Sequence, residues 1–506
     1  MKKYVSKENK SPKKLTKRKS SDNQMTIEQF FGLNQTIKRK KEILNDLEID
    51  LTCDTLKSEE AVILSSASST TEKSSVPSKV ASIFLKKKTV IKKHIESPIK
   101  QRLSERSGVT EQRRRDILSD FKVEALVNFP TAPDVSGSVK KYDCSNCGIP
   151  FSHTVPGTDF VVDYFTPNDN YQSVFLSHFH YDHYKGLTNS FMKKIYCSED
   201  TARLVLSSYP KFDKKNEPQV IGLPMEKWSI VNGVPVLLME AFHCPGAVCF
   251  IFRTEPSKYC FHSGDFRAGQ FVERYAQAIT KIHLNTAFID TTYCNDKYDF
   301  PTQSKILDTT MDICIRENIV EDPRCLVVVG SYTIGKESVF AAIARLISSQ
   351  VCVASQKLKH IKCFQGKGKE EEEEIQCHGA RLLSHCELTT NPQHSRVHVL
   401  PMGKINWKNL PGYLESHKHR FDRLVAFSPT GWSNAAKTTQ KDEIKPRKVK
   451  PNILIYDVPY SEHSAYSELK EFVEKCLKKP CNVYSSVFSN YDDRRRIESQ
   501  LRQWLK

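Results

Sequence analysis

Apolar residues are sparse and without period over the first 120 positions. Beyond Phe121 they gather into short β-branched and aromatic runs that alternate with helix-spaced stretches as far as Leu505. Val174-Phe175-Leu176, Val234 to Met239, Val248 to Phe252, Tyr259-Cys260-Phe261, Leu326 to Val329 and Ile453 to Tyr456 predict buried strands, because each is a brief apolar run closed by turn residues. After Gly330, the positions Val339, Phe340, Ile343, Leu346 and Ile347 predict an amphipathic helix, and Leu469, Phe472, Val473 and Cys476 predict a second. Strands and helices in alternation predict an α/β fold, and no internal repeat interrupts it.

The chemistry sits where these strands end. His178-Phe179-His180-Tyr181-Asp182-His183 follows the first run directly, placing four ligand-type side chains in six positions. His178 and His180 can converge on one zinc, while the adjacent Asp182 and His183 project toward a second ion. A lone histidine is usually a satisfied core or surface residue, and the clustering reverses that expectation. A catalytic zinc takes three or four protein ligands and keeps a position for water, so further donors are required. His243, Asp265 and His463 each lie in a loop after a predicted strand. Singly each reads as a turn residue; the recurrence of one placement favours a shared site.

With these residues in view, the chain resembles the metallo-β-lactamase fold in its β-CASP branch, and within that branch the DNA cross-link repair nucleases that include Artemis and Apollo. The resemblance rests on Val162-Asp163-Tyr164-Phe165, on the histidine cluster continued by Tyr184-Lys185-Gly186-Leu187, and on His243-Cys244-Pro245-Gly246-Ala247. It continues through Gly264-Asp265-Phe266-Arg267-Ala268, Asp290-Thr291-Thr292-Tyr293-Cys294, Ile334-Gly335-Lys336-Glu337, Pro429-Thr430-Gly431-Trp432 and Tyr460-Ser461-Glu462-His463-Ser464. It implies an αββα sandwich carrying an inserted β-CASP α/β lobe. It also implies that His178, His180, His243 and Asp265 hold one metal, and that Asp182, His183, Asp265 and His463 hold the other. Asp265 would bridge, and Asp163 and Asp290 would orient ligand imidazoles by hydrogen bonds. The implied cofactor is zinc, one or two ions, with magnesium or manganese as the alternative at the second site. Phe242 stands where these nucleases commonly carry a polar residue. Val483 matches the valine that DNA-acting members place near the C-terminus, where RNA-acting members place a histidine.

The expected organisation is a disordered basic tail over 1–120, a first metallo-β-lactamase part over 121–294, the β-CASP insertion over 295–451 and a closing part over 452–506. The chain carries a net charge of +17, and 27 Lys and Arg against 16 Asp and Glu lie in the first 120 residues alone, so polyanions are the expected partners. Lys13-Lys14-Leu15-Thr16-Lys17-Arg18-Lys19 and Lys38-Arg39-Lys40-Lys41 are of nuclear-localisation type. One apolar island breaks the tail: Gln24, Ile27, Phe30 and Phe31 have the spacing of the peptide that docks on the replication sliding clamp, with three apolar anchors on one helical turn. The 16 cysteines are scattered, and neither a secretory signal nor an apolar run of membrane-spanning length precedes them, so a reduced compartment and no membrane are expected. Cys144 and Cys147, with His153 nearby, make half a zinc knuckle. No second pair lies at ribbon spacing, which favours ordinary loop thiols.

The expected chemistry is two-metal hydrolysis of DNA phosphodiesters, and the resemblance implies a monomeric 5′-to-3′ exonuclease in repair of DNA interstrand cross-links, acting on single-stranded or duplex ends with a 5′-phosphate taken by Gly335 and Lys336 at a helix start. A structure-specific DNA endonuclease and an RNA-processing β-CASP endonuclease are the alternatives. A small-molecule metallohydrolase is disfavoured by the basic charge and by the roughly 200 residues between Asp265 and His463.

Overall fold

The computed structural model describes residues 108–134, 148–213, 217–364, 378–431 and 444–505. The clamp-type peptide with Gln24, Ile27, Phe30 and Phe31, the basic clusters, Cys144, Cys147, the loop over 366–374 and Trp432 lie outside the described residues.

Two sheets face each other. One is parallel throughout and runs in the order Phe160–Val162, Ser173–Phe175, Lys194–Ser198, Val220–Leu223. The other has six strands, ordered Asn482–Ser485, Leu284–Ile289, Lys258–His262, Val248–Glu255, Val234–Glu240, Trp228–Val231. Alternation along each strand explains why the runs looked nearly continuous in apolar character. Phe160, Val162, Phe175, Val236, Leu238, Phe250 and Phe252 fill the space between the sheets. Their neighbours Val161, Val174, Leu237, Met239, Cys249 and Ile251 face outward under the helices. Phe175 is the centre of the inner layer, with ring centroids at 4.9 Å from Phe252, 5.3 Å from Tyr196 and 5.6 Å from Phe250. Helices Ala268–Ile279 and Tyr466–Cys476 cover the outer face of the six-stranded sheet through Phe271 and Phe472, both packed on Phe261.

A third sheet of seven strands forms the inserted lobe. Its central strand Cys325–Ser331 lies between Ser395–Pro401 and Arg423–Pro429, and all its pairings are parallel except that of the edge strand Arg447–Lys450. Ile453–Val458 pairs with Arg423–Pro429 inside this sheet. The lobe therefore runs to Val458, not to residue 451, because a strand predicted to open the closing part completes the inserted sheet instead. Helix Glu337–Leu346 also departs from expectation: every residue except Arg345 is buried, so it is a core helix and not an amphipathic one.

The expected disordered tail to residue 120 is corrected as well, since residues 108–120 form a helix. Ile117 and Phe121 are buried, Arg114 pairs with Asp308 and Asp312 at 2.5 Å, and Arg345 pairs with Asp120 at 2.6 Å. Beyond the helix the chain runs onto the sandwich, where Phe129 stacks on Tyr275 and the Trp228 indole N–H donates to the Pro130 carbonyl. The polar exterior that reads as tail is a charged face paired with the lobe. Among the described residues no helix is long and apolar enough to cross a membrane. Replacing Ile117 by Ala should cost about 2–5 kcal/mol of stability in a denaturant titration, as expected for a buried aliphatic truncation. A loss below about 0.5 kcal/mol, typical of surface positions, would show that the helix is not docked.

Candidate metal centre

Every ligand-type residue named from the sequence lies at the end of a strand or in the loop after it, and four imidazoles meet around one carboxylate with a fifth beside them. Asp265 Oδ2 is 3.1 Å from His183 Nε2, 3.8 Å from His243 Nε2, and 3.9 Å from both His178 Nε2 and His463 Nε2. His180 turns its Nδ1 inward, 2.9 Å from His178 Nε2 and 3.0 Å from His243 Nε2. His178 and His243 are buried, whereas His180, His183 and His463 are partly open. Asp182 is the exposed member of the set: its side chain is 78 % exposed, with Oδ2 3.8 Å from His183 Nε2.

The outward nitrogens decide the protonation of the inward ones. His243 Nδ1–H donates to the Glu462 carbonyl at 3.0 Å and His180 Nε2–H to the Ile334 carbonyl at 3.2 Å, because a carbonyl can only accept. Ser177 Oγ–H donates to Asp163 Oδ2 at 2.7 Å, which leaves His178 Nδ1–H to donate to Ser177 Oγ at 2.9 Å. In the neutral rings the inward atoms of all three histidines are then bare lone pairs, with His180 Nδ1 within 3.0 Å of the other two. Protonation does not relieve the crowding. Burial first, and the neighbouring histidines after it, lower the pKa of His178 and His243 well below the ordinary value, and burial lowers His180 too. A cation does relieve it: tetrahedral ligands about 2.0–2.1 Å from a zinc lie about 3.3 Å apart. The donor set therefore fits a metal.

The second half of the cluster is held by carboxylates. His183 Nδ1–H donates to Asp163 Oδ2 and His463 Nδ1–H to Asp290 Oδ2, each at 2.8 Å. Burial opposes charge on both rings. It is outweighed at His183 by Asp265 and Asp163, which raise that ring well above its ordinary value, and at His463 by Asp290 and Asp265, which raise it to about 9. Asp265 itself is pulled well below the carboxylate range by His183 and His463, despite its burial. Asp163 and Asp290 thus have the orienting geometry the family resemblance implied. Asp163 sits at φ +51°, a turn conformation aspartate tolerates, and also accepts the Ser177 amide at 2.7 Å. Thr292 donates to Asp290 Oδ1 through its hydroxyl at 2.6 Å and its amide at 3.0 Å.

Two features differ from expectation. Lys336, expected to face a phosphate, is engaged within the protein: its amide donates to Glu462 Oε1 at 2.6 Å and its ammonium pairs with Glu462 Oε2 at 3.0 Å, all of it buried. Gly335, at φ +101°, admits that carboxylate, since a Cβ there would lie 2.9 Å from both its oxygens. Phe242 supplies no hydrogen bond; it packs on His378 and Tyr275, and the Glu462 carbonyl orients His243 in its place.

The sequence reading assigned no role to several residues that build this site. Arg267 is fully buried, paired with Glu468 at 2.7 and 2.9 Å and donating to the Ser461 carbonyl at 2.7 Å, so it ties the Asp265 loop to the His463 loop. Ser464 Oγ reinforces the tie by accepting from the Ala268 amide at 2.9 Å and donating to the Phe266 carbonyl at 2.7 Å. Cys244 Sγ joins His178, His180 and His243 in a group whose ligand atoms lie within 4.8 Å of one another. A buried-type charge two residues after a ligand was the available signal for Arg267. Above the cluster opens a cleft of about 400 Å³, with His180, Asp182, His243, Asp265 and His463 at its floor and Lys336, Tyr332 and Thr333 of the inserted lobe on one wall.

A sandwich with a histidine and aspartate cluster at its strand ends, extended by a parallel-sheet lobe, defines a metallo-β-lactamase protein of the β-CASP type. Residues 382–491 match the family described as DNA repair metallo-beta-lactamase. The DNA cross-link repair 1A protein of Gallus gallus is 37% identical over 360 residues, covering 70% of this chain and 34% of that protein. The DNA cross-link repair protein SNM1 of Arabidopsis thaliana is 33% identical over 362 residues, covering 71% and 70% respectively. The 5' exonuclease Apollo of Gallus gallus is 28% identical over 336 residues, covering 66% and 63%. The chain belongs to the DNA cross-link repair family of metallo-β-lactamase proteins. It spans about a third of the length of the 1A protein it matches.

His463 tests the link across the chain. His463→Ala should remove about one bound ion per chain in elemental analysis of the purified protein, because the second group of donors loses a ring while the His178, His180 and His243 group stays intact. Unchanged metal content would show that the C-terminal segment does not complete the centre.

Proposed function

We propose that the chain is a metal-dependent deoxyribonuclease that removes nucleotides from 5′ ends, acting as a monomer in the nucleus in the repair of interstrand cross-links. The observation that carries the reading is the convergence of four imidazole nitrogens on Asp265, with His180 turned onto two of the same rings, in an open cleft where each ring is fixed from behind by an acceptor. The names of the Arabidopsis and Apollo relatives support the substrate and the direction, and the net charge of +17 suits a polyanion.

His178, His180, His243 and Asp265 would hold one ion and Asp182, His183, Asp265 and His463 the second; zinc suits such donors, and bound ions supply Lewis-acid polarisation and water ionised near neutral pH. The chain's own part is preorganisation. Asp163 and Asp290 hold the outward N–H of His183 and His463, so the inward nitrogen is the one that would give up its proton to a bound ion. Arg267 and Ser464 hold the Asp265 and His463 loops in register. Asp182, the one exposed carboxylate among these residues, is placed to meet solvent entering the cleft. Residues 24–31 would dock on the replication sliding clamp and bring the catalytic part to replicating DNA.

Asp182→Ala and Asp265→Ala should each reduce cleavage of 5′-phosphorylated, end-labelled single-stranded and duplex oligonucleotides by at least about 1000-fold, with DNA affinity changed less than about threefold, since phosphate contacts spread over many basic residues. Cleavage at the wild-type rate by either variant would remove the two-metal assignment. Products released from the 3′ end, or a faster reaction on RNA of the same sequence, would replace the 5′-exonuclease reading with one of its alternatives.

Recruitment is separable from cleavage. A peptide spanning 23–33 should bind the sliding clamp in calorimetry, and Phe30→Ala with Phe31→Ala should abolish that heat while leaving hydrolysis of free oligonucleotides unchanged. An absence of heat with the natural peptide would reduce the island to a chance match.

A further inference from the structure

Two exposed tyrosines line the cleft of the candidate metal centre, one carried by the ligand turn and the other by the inserted lobe. Tyr181 occupies the turn between the ligands His180 and Asp182 and is 69 % exposed. Tyr332 follows the central strand of the inserted lobe and is 51 % exposed. Both line the cleft whose floor carries His180, Asp182, Asp265 and His463. An exposed aromatic ring at a ligand turn contributes nothing to the core, yet both residues are held firmly. The Tyr181 ring stands edge-on to Tyr184 at 5.6 Å and 89°, and Tyr184 lies flat against buried Phe179 at 4.5 Å and 14°. The turn beneath it is closed by the His183 and Tyr184 amides, which both donate to the His180 carbonyl. On the other wall the Tyr332 carbonyl accepts from Lys357 Nζ at 3.0 Å and from Ser331 Oγ at 3.2 Å, which fixes the backbone that carries the ring.

We propose that Tyr181 and Tyr332 form a stacking clamp for the nucleobase beside the scissile phosphate, making an unpaired nucleotide the preferred occupant of the cleft. The proposal rests on the reading of the chain as a deoxyribonuclease. Any base offers a π-face, so such a clamp grips without reading sequence. A base inside a duplex is already stacked and paired, and has to leave the helix before it can enter. Rigid rings also lose little conformational freedom on binding, which favours aromatic anchors over long flexible side chains.

The test uses the full chain and a 5′-phosphorylated single strand with 2-aminopurine as its terminal base. Binding of the inactive Asp265→Ala protein should quench the probe, and adding Tyr181→Ala and Tyr332→Ala should abolish the quench. In the active protein the tyrosine pair replaced by alanine should raise KM on single strands about 5- to 100-fold with kcat little changed. Replacement by phenylalanine, which keeps the ring, should restore it. An abasic terminal nucleotide should weaken the wild type by a similar factor and leave the alanine variant unaffected. Quenching that survives in the alanine variant, or an equal abasic penalty in both proteins, overturns the clamp. Failure of the natural chain to cleave DNA at all overturns the nuclease reading and the clamp with it, whereas cleavage with an unaltered KM in the alanine variant removes the clamp alone.

Discussion

The Asp265 carboxylate sets the terms for the rest of the centre. Its Oδ2 lies within 4 Å of ring nitrogens from four histidines that come from three separate stretches of the chain. A buried carboxylate is costly unless positive charge or hydrogen bonds surround it. Its position is correspondingly over-determined. Gly264 takes φ +53° so that the chain can pass against Ser177, where a Cβ would come within 2.6 Å of the serine side chain. Two residues further on, Arg267 reaches the loop that carries His463. The carboxylate, its approach and its exit are therefore each fixed by a contact.

Much of this was legible in the sequence, for identifiable reasons. The HxHxDH cluster is local, so its spacing alone announces a metal site, and the strands that present it are apolar on both faces. His243 and His463 were found because their loops repeat the same strand-then-ligand order. Asp163 and Asp290 came through the family resemblance, and they show the hydrogen bonds that it implied. The buried pairing of Lys336 was not legible, because a lysine after a glycine at a helix start looks the same whether it faces solvent or a buried glutamate. The partner that decides the matter, Glu462, lies 126 positions away.

The other differences share a physical cause. The helix at 108–120 is rich in charge, which composition reads as solvated tail, yet Arg114 and Asp120 are matched to partners on the lobe. Helix Glu337–Leu346 shows helical spacing on its most apolar face, and small residues such as Ala341, Ala342 and Ala344 conceal that its other faces are buried too. The lobe boundary moved because Ile453–Val458 is an apolar strand like any other, and only pairing reveals which sheet it joins. In each case the missing information was the identity of a neighbour distant in sequence.

The buried pair between Lys336 and Glu462 has a bearing on how the cleft behaves. One partner belongs to the inserted lobe and the other neighbours the candidate ligand His463, so parting the two halves would strand opposite charges in a buried place. Breaking such a pair costs on the order of 3–5 kcal/mol, and the strap from 108 to 134 crosses the same junction. The lobe is then less a door than a fixed jaw. A gap of constant calibre sorts by thickness: what is thin enough passes to the metal centre, and what is too thick is refused before any bond is at risk.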